Sequence, residues 1–212
     1  MIKMESKPMN IIDIKTEFEN SLVNLDYNAN VHASRIAICG YEYYQNKGKT
    51  KIIPEDAYAR IERGIRTENI LSDVISKMRP DYVHDYEVVF NTDGQRIVGH
   101  LDFYSKEANH IIELKTTQYF SGEYFPVYWR QLNAYMYIIG APVTGSLWIY
   151  DFGKTQWRQF DFTTIDKDSF EKNLKAYMTG QYIDGIESAE CKYCSFSSTC
   201  LGGKKYLGSV IQ

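Results

Sequence analysis

Long apolar runs are missing from the sequence. The longest uncharged apolar stretch, Met136 to Leu147, is interrupted by two Gly and a Pro, and nothing approaches the ~20 apolar residues that a membrane span needs. The opening Met1-Ile2-Lys3-Met4-Glu5 lacks the apolar core of a secretion signal. A soluble, cytoplasmic protein is therefore expected (the host cytoplasm if the chain is viral). An excess of one charge is missing too. The 24 basic side chains face 27 acidic ones, for a net charge of -3, which argues against coating nucleic acid through bulk charge. It leaves open a local grip on phosphates through metal ions. No repeat, low-complexity segment or Pro/Gly/Ser-rich linker divides the 212 residues, so residues 1–212 are read as a single domain. With 44% apolar and 24% charged residues, the composition is that of an ordered globular protein.

Two features stand out. Tyr occurs 18 times and aromatic residues reach 15%. Of four cysteines, three lie beyond residue 190, and in a chain without an export signal such crowding favours metal or cluster binding over disulfides.

The pattern predicts a short helix around Ala33–Tyr44, which carries Cys39, and a long one from Pro54 to Met78, stopped by Pro80. Extended segments follow at Val83–Phe90, Arg96–Tyr104 and His110–Thr116. Asn91-Thr92-Asp93-Gly94 is the first turn and Ser105–Asn109 the second. A helix from Val127 to Ile139 precedes strands at Gly145–Phe152 and Gln156–Phe162, and a helix at Phe170–Met178 closes the regular structure. This order gives an α/β fold, a mixed sheet flanked by helices.

A turn centred near residues 107–108 would set Asp102 opposite Glu113 and His100 opposite Lys115, all four on one sheet face. Leu101, Ile112 and Leu114 then mark the other face as core. Two carboxylates facing each other cost free energy unless neutralised, and magnesium or manganese suits such hard oxygen ligands. A solvated polar face with a surface Glu113–Lys115 pair is the plain alternative.

Gly99-His100-Leu101-Asp102 followed by Glu113-Leu114-Lys115 resembles the PD-(D/E)XK nuclease superfamily. Gln131-Leu132-Asn133-Ala134-Tyr135 and Gly64-Ile65-Arg66-Thr67-Glu68 are similar to the further motifs of its RecB-like branch, with Glu68 where a His is more familiar. The resemblance implies a restriction-endonuclease-like fold. It implies magnesium or manganese held by Glu68, Asp102, Glu113 and the Leu114 carbonyl. Lys115 would orient or deprotonate the attacking water, and Gln131 and Tyr135 would position the DNA backbone or Lys115. His100 is a candidate supporting residue, with a structural hydrogen bond as the equal alternative.

Cys191, Cys194 and Cys200 form C-x2-C-x5-C, with Cys39 as the remaining thiol. Four thiolates suit structural zinc or a 4Fe-4S cluster. The arrangement is similar to the iron–sulfur nucleases of the RecB-like branch, namely the CRISPR-associated Cas-four type exonucleases and the AddB nuclease domain. It implies a 4Fe-4S cluster on Cys39, Cys191, Cys194 and Cys200, in a small helical lobe formed by about 33–45 and 186–202. Gly40 departs from the Pro that relatives often carry after the first Cys. The cluster would staple a long loop.

The expected activity is metal-dependent hydrolysis of DNA, preferentially single-stranded and exonucleolytic, with a 5′→3′ direction and some endonuclease action in view. A structure-selective endonuclease or resolvase, or a catalytically silent DNA-binding assembly subunit, are the alternatives. DNA is the expected partner, with a second copy of the chain or recombination, CRISPR or replication proteins as further ones. Unpaired bases would stack on Tyr119, Phe120, Tyr124, Phe125, Tyr128 and Trp129, or these rings fill core. Arg60, Arg63, Arg66 and Arg130 are candidate phosphate contacts.

Overall fold

Asp93 and Gly94 both adopt positive φ, 43° and 75°, as the mirror-image two-residue turn between twisted strands requires. They join the two longest strands of a computed structural model that describes residues 31–47 and 55–210. The expected helix start at Pro54 and the segment 1–30 lie outside the described residues.

In chain order the elements are β1 (Val31–His32), α1 (Ala33–Gln45), α2 (Glu55–Met78), β2 (Tyr82–Thr92), β3 (Gln95–Ser105), β4 (His110–Thr117), α3 (Phe125–Ile139), β5 (Thr144–Asp151), β6 (Gln156–Phe162), α4 (Lys167–Thr179) and α5 (Leu201–Val210). A single 3-10 turn, Ala189–Lys192, precedes α5. The strands form one mixed sheet in the order β1-β3-β4-β5-β6, with β2 paired to β3. β4 and β5 are parallel because α3 carries the chain back between them, while the other long neighbours are antiparallel. This mixed sheet flanked by helices is the restriction-endonuclease-like arrangement.

Residues His32–Gln212 form one compact unit. On one face of the sheet, Ile75 and Leu71 of α2 pack with Tyr82, Phe103, Ile112 and Trp148. On the other, Leu132 and Met136 of α3 come so close to Gly145 that a Cβ there would sit 2.9 Å from Leu132. α4 is capped by Asp166, whose carboxylate accepts from the Ser169 N–H at 3.1 Å. α5 was not expected from the pattern: its first turn holds Gly202 and Gly203, both buried against Tyr182 and Ser197. Among the described residues, no helix is long and apolar enough to cross a membrane.

Candidate active site

The register of β3 and β4 pairs Phe103 with Ile112, Tyr104 with Ile111 and Ser105 with His110. Continued by one step it would set Asp102 opposite Glu113, but there the backbone ladder stops. The N–H of Leu114 donates instead to Oδ2 of Asp102 at 2.6 Å. The strands part, and a carboxylate occupies the fork.

β3 also turns over at this point. Phe103 packs on the α2 side, whereas a Cβ on Gly99, four residues earlier, would meet Tyr135 of α3 at 2.8 Å. Strict alternation would place both on one face. The β2–β3 ladder lacks a pair between Asp85 and Asp102, and Asp85 adopts φ 52°. The turnover corrects the expectation for His100. Its Nδ1 lies 3.0 Å from Oδ1 of exposed Asp85, a structural hydrogen bond to β2.

Glu113 is fully buried. Its Oε1 accepts from the Lys115 ammonium at 2.5 Å, while Oε2 is buried and has no hydrogen-bond partner among the described residues. Burial raises the Glu113 carboxyl above its ordinary range against the pull of Lys115. Asp102 is raised by burial and by the nearby Glu113 charge, with a smaller contribution from Glu68. Burial opposes the Lys115 charge, but Glu113 and Asp102 outweigh it and hold the side chain as an ammonium. Three carboxylates therefore share one field that a single lysine only partly neutralises. Among the described residues, no three His, Cys, Asp or Glu side chains converge closely enough to form a ready-made metal cage. The buried, unpartnered Glu113 Oε2 is nonetheless an atom that a hard cation would satisfy.

Glu68 accepts from His84, a residue its sequence position does not point to: Nε2 of His84 stands 2.8 Å from its Oε1. The two come from α2 and β2, so no local spacing links them. Tyr135 is buried, and its hydroxyl accepts from Gln131 Nε2 at 3.1 Å. Burial, then the Glu113 and Asp102 charges, raise its pKa. Gln131 and Tyr135 thus form one hydrogen-bonded pair on α3 beside the carboxylates. Arg130 is committed elsewhere, donating to the carbonyls of Gly185, Ile186 and Glu187. Arg63 donates to Gln118 at 2.7 Å and Arg66 to Glu62.

The four cysteines are free thiols, each partly exposed. Cys39 interrupts α1 with an extended backbone, and its sulfur accepts from the Glu42 N–H at 3.4 Å. Cys194 accepts likewise from Phe196 at 3.4 Å. Burial pushes the Cys39 thiol up to about 12, with Cys191 and Cys194 acting in the same direction. Burial also raises Cys191 and Cys194, and each of these lies in the field of Cys200. The first helix and the C-terminal turn thus approach each other near Cys39, Cys191 and Cys194, but among the described residues no three of the thiols form a ready-made metal group. The close approach also accounts for Gly40. Its N–H donates to Asn173 Oδ1 at 3.2 Å, which Pro could not do, and a Cβ there would lie 1.8 Å from the Asn173 carbonyl oxygen.

No family model matches the sequence, and no curated protein matches it. Solved structures do. The chain is similar to the crystal structure of SSO0001, with a TM-score of 0.67 and 18% identity over 91% of this chain and 96% of that one. It is also similar to an alkaline exonuclease from Laribacter hongkongensis, with a TM-score of 0.51 and 15% identity over 72% of this chain and 88% of the other. The same exonuclease in complex with dAMP gives a TM-score of 0.51. At these identities the shared property is the fold.

Proposed function

We propose that the chain is a divalent-metal-dependent DNA nuclease whose catalytic residues are Asp102, Glu113 and Lys115, with Glu68 completing the ligand set. The observation that carries this reading is the buried, unpartnered oxygen of Glu113 beside Asp102 and an ammonium group. The likeness to an alkaline exonuclease, one form of which holds dAMP, supports it.

Asp102, Glu113, Glu68 and the Leu114 carbonyl would hold magnesium or manganese. When bound, such an ion supplies Lewis-acid activation of the scissile phosphate and of the attacking water. Lys115, kept protonated by Glu113 and Asp102, offsets the charge that builds up on the pentavalent phosphorus and orients the water through its N–H groups. It does not serve as the base in this state. Gln131, through its hydrogen bond, fixes the Tyr135 hydroxyl next to the same carboxylates and so sets the wall against which the DNA backbone lies. Single-stranded DNA is the preferred substrate. Phe120, Phe125 and Trp129 pack against Phe160 and Phe162, which leaves exposed Tyr119 and half-buried Tyr124 and Tyr128 to meet bases.

Cys39, Cys191, Cys194 and Cys200 would hold a 4Fe-4S cluster as a staple between α1 and the C-terminal turn. What supports the reading is the donor chemistry: Cys39 lies in the field of Cys191 and Cys194, these two lie in that of Cys200, and main-chain N–H groups are aimed at Cys39 and Cys194, although among the described residues no three of the thiols yet stand close enough to form a cage.

The test is cleavage of end-labelled single and double strands with manganese, magnesium or EDTA. Cleavage that needs the metal and disappears in Glu113→Ala and Lys115→Ala is expected. Full activity in both variants would overturn the assignment, and a wild-type protein that binds DNA without cutting it would mark an assembly subunit.

A further inference from the structure

Three tyrosines form a line that the catalytic assignment does not use. Tyr128, on the first turns of α3, lies close enough to Lys115 for the ammonium to affect its hydroxyl. Tyr124, one helical turn earlier, is stacked along it with ring centroids 6.4 Å apart and an interplanar angle of 27°. Tyr193 lies beside Tyr124, since its neighbour Lys192 is paired with Glu123, the residue before Tyr124. Tyr193 stands between Cys191 and Cys194 and is 75% exposed. The turn behind it is firm, since the Tyr193 N–H donates to the Glu190 carbonyl at 3.0 Å. The lobe is tied to the base of α3 through Glu123, which is paired with Lys192 and accepts from the Tyr206 hydroxyl at 2.6 Å.

We infer that Tyr193, Tyr124 and Tyr128 are a stacking track that leads the bases of an unpaired strand from the cysteine lobe to Lys115. This deepens the nuclease reading and rests on it. The charges favour bases over phosphates as the recognised groups. Glu123 and Glu190 border the track, and Lys192, next to Tyr193, is engaged by Glu123. Aromatic faces accept any base, and a Tyr ring projecting into water on a rigid turn gives contact area with little entropy to lose. The lobe then acts as part of the substrate path, and its Cys191–Cys194 turn places one of the rings.

The experiment measures equilibrium binding of a short labelled oligothymidylate, and of an abasic strand of equal length, in EDTA so that nothing is cut. Tyr193→Ala should weaken oligothymidylate binding by about tenfold, the range set by loss of one stacked base, and leave abasic-strand binding and the salt dependence unchanged. Tyr193→Phe should bind as wild type does. Equal oligothymidylate affinity in Tyr193→Ala and wild type would overturn the track, as would an equal loss on both strands. Metal-dependent cleavage by wild type persists in either case if only the track is wrong, and its absence instead removes the nuclease reading.

Discussion

The Leu114 N–H and the Asp102 carboxylate form a hydrogen bond of 2.6 Å at the point where β3 and β4 separate. A side chain has replaced the strand carbonyl as acceptor, so Asp102 has a structural role apart from any role toward a cation. Asp102→Asn keeps an acceptor oxygen there and should melt close to wild type while losing cleavage. Asp102→Ala leaves a main-chain donor unpaired and should destabilise by about 1–3 kcal/mol. Thermal unfolding of the two variants separates the roles, and equal melting in both would deny the structural one.

Gly40 sits where α1 meets α4. A methyl group would collide with the Asn173 carbonyl oxygen, which belongs to the backbone and cannot rotate away. Gly40→Ala should cost about 1–3 kcal/mol or more, measured by denaturant unfolding. A variant as stable as wild type would mean that the helices do not approach this closely.

His110 provides the pH dependence. Its Nδ1 lies 2.7 Å from Thr144 Oγ1 and its Nε2 lies 3.0 Å from Ser146 Oγ, while Ser146 donates to Asp161. Burial lowers its pKa from 6.5, with Arg79 acting the same way and Asp161 opposing. The unfolded chain therefore takes up this proton at higher pH than the folded one. The corresponding stability is complete above 6.5 and drains away as the pH falls below it. Unfolding followed across that range should show the decline in wild type and a smaller one in His110→Asn. An unchanged slope in the variant would assign the decline to other groups.

The hairpin and the β3–β4 register were legible because both depend on short-range signals: Asp93-Gly94 forces one turn type, and a turn near residues 107–108 sets the pairing. The turnover at Asp102 was not legible. It coincides with a positive φ at Asp85 on the neighbouring strand and a missing Asp85–Asp102 pair, and a period-two pattern carries no sign of it, so His100 does not share the face that alternation gives it. The Glu68–His84 contact escaped because α2 and β2 meet only in the folded chain. The aromatic loop stays open in the sequence between base stacking and core filling, and Phe120, Phe125 and Trp129 take the second role, covering β6. Composition cannot tell a ring under an edge strand from one in water. α5 was missed because Gly202 and Gly203 weaken its helical signal, and they are there for close packing.

The proposed 4Fe-4S cluster predicts a coloured protein when purified without air. Cys191→Ser should lose the visible absorbance and unfold at lower temperature, since the staple between α1 and the C-terminal turn is gone. A colourless wild type with one zinc per chain would replace the iron–sulfur cluster by zinc.

Calorimetric titration of manganese into the wild-type protein and Glu113→Gln addresses the site itself, independently of any DNA. The nuclease reading predicts saturable binding in wild type, tightening as the pH rises because Asp102 and Glu113 must lose protons that burial makes them hold. It predicts that Glu113→Gln, still folded, loses most of that affinity. A wild-type protein that takes up no manganese, or a Glu113→Gln variant that binds it equally well, would contradict the reading.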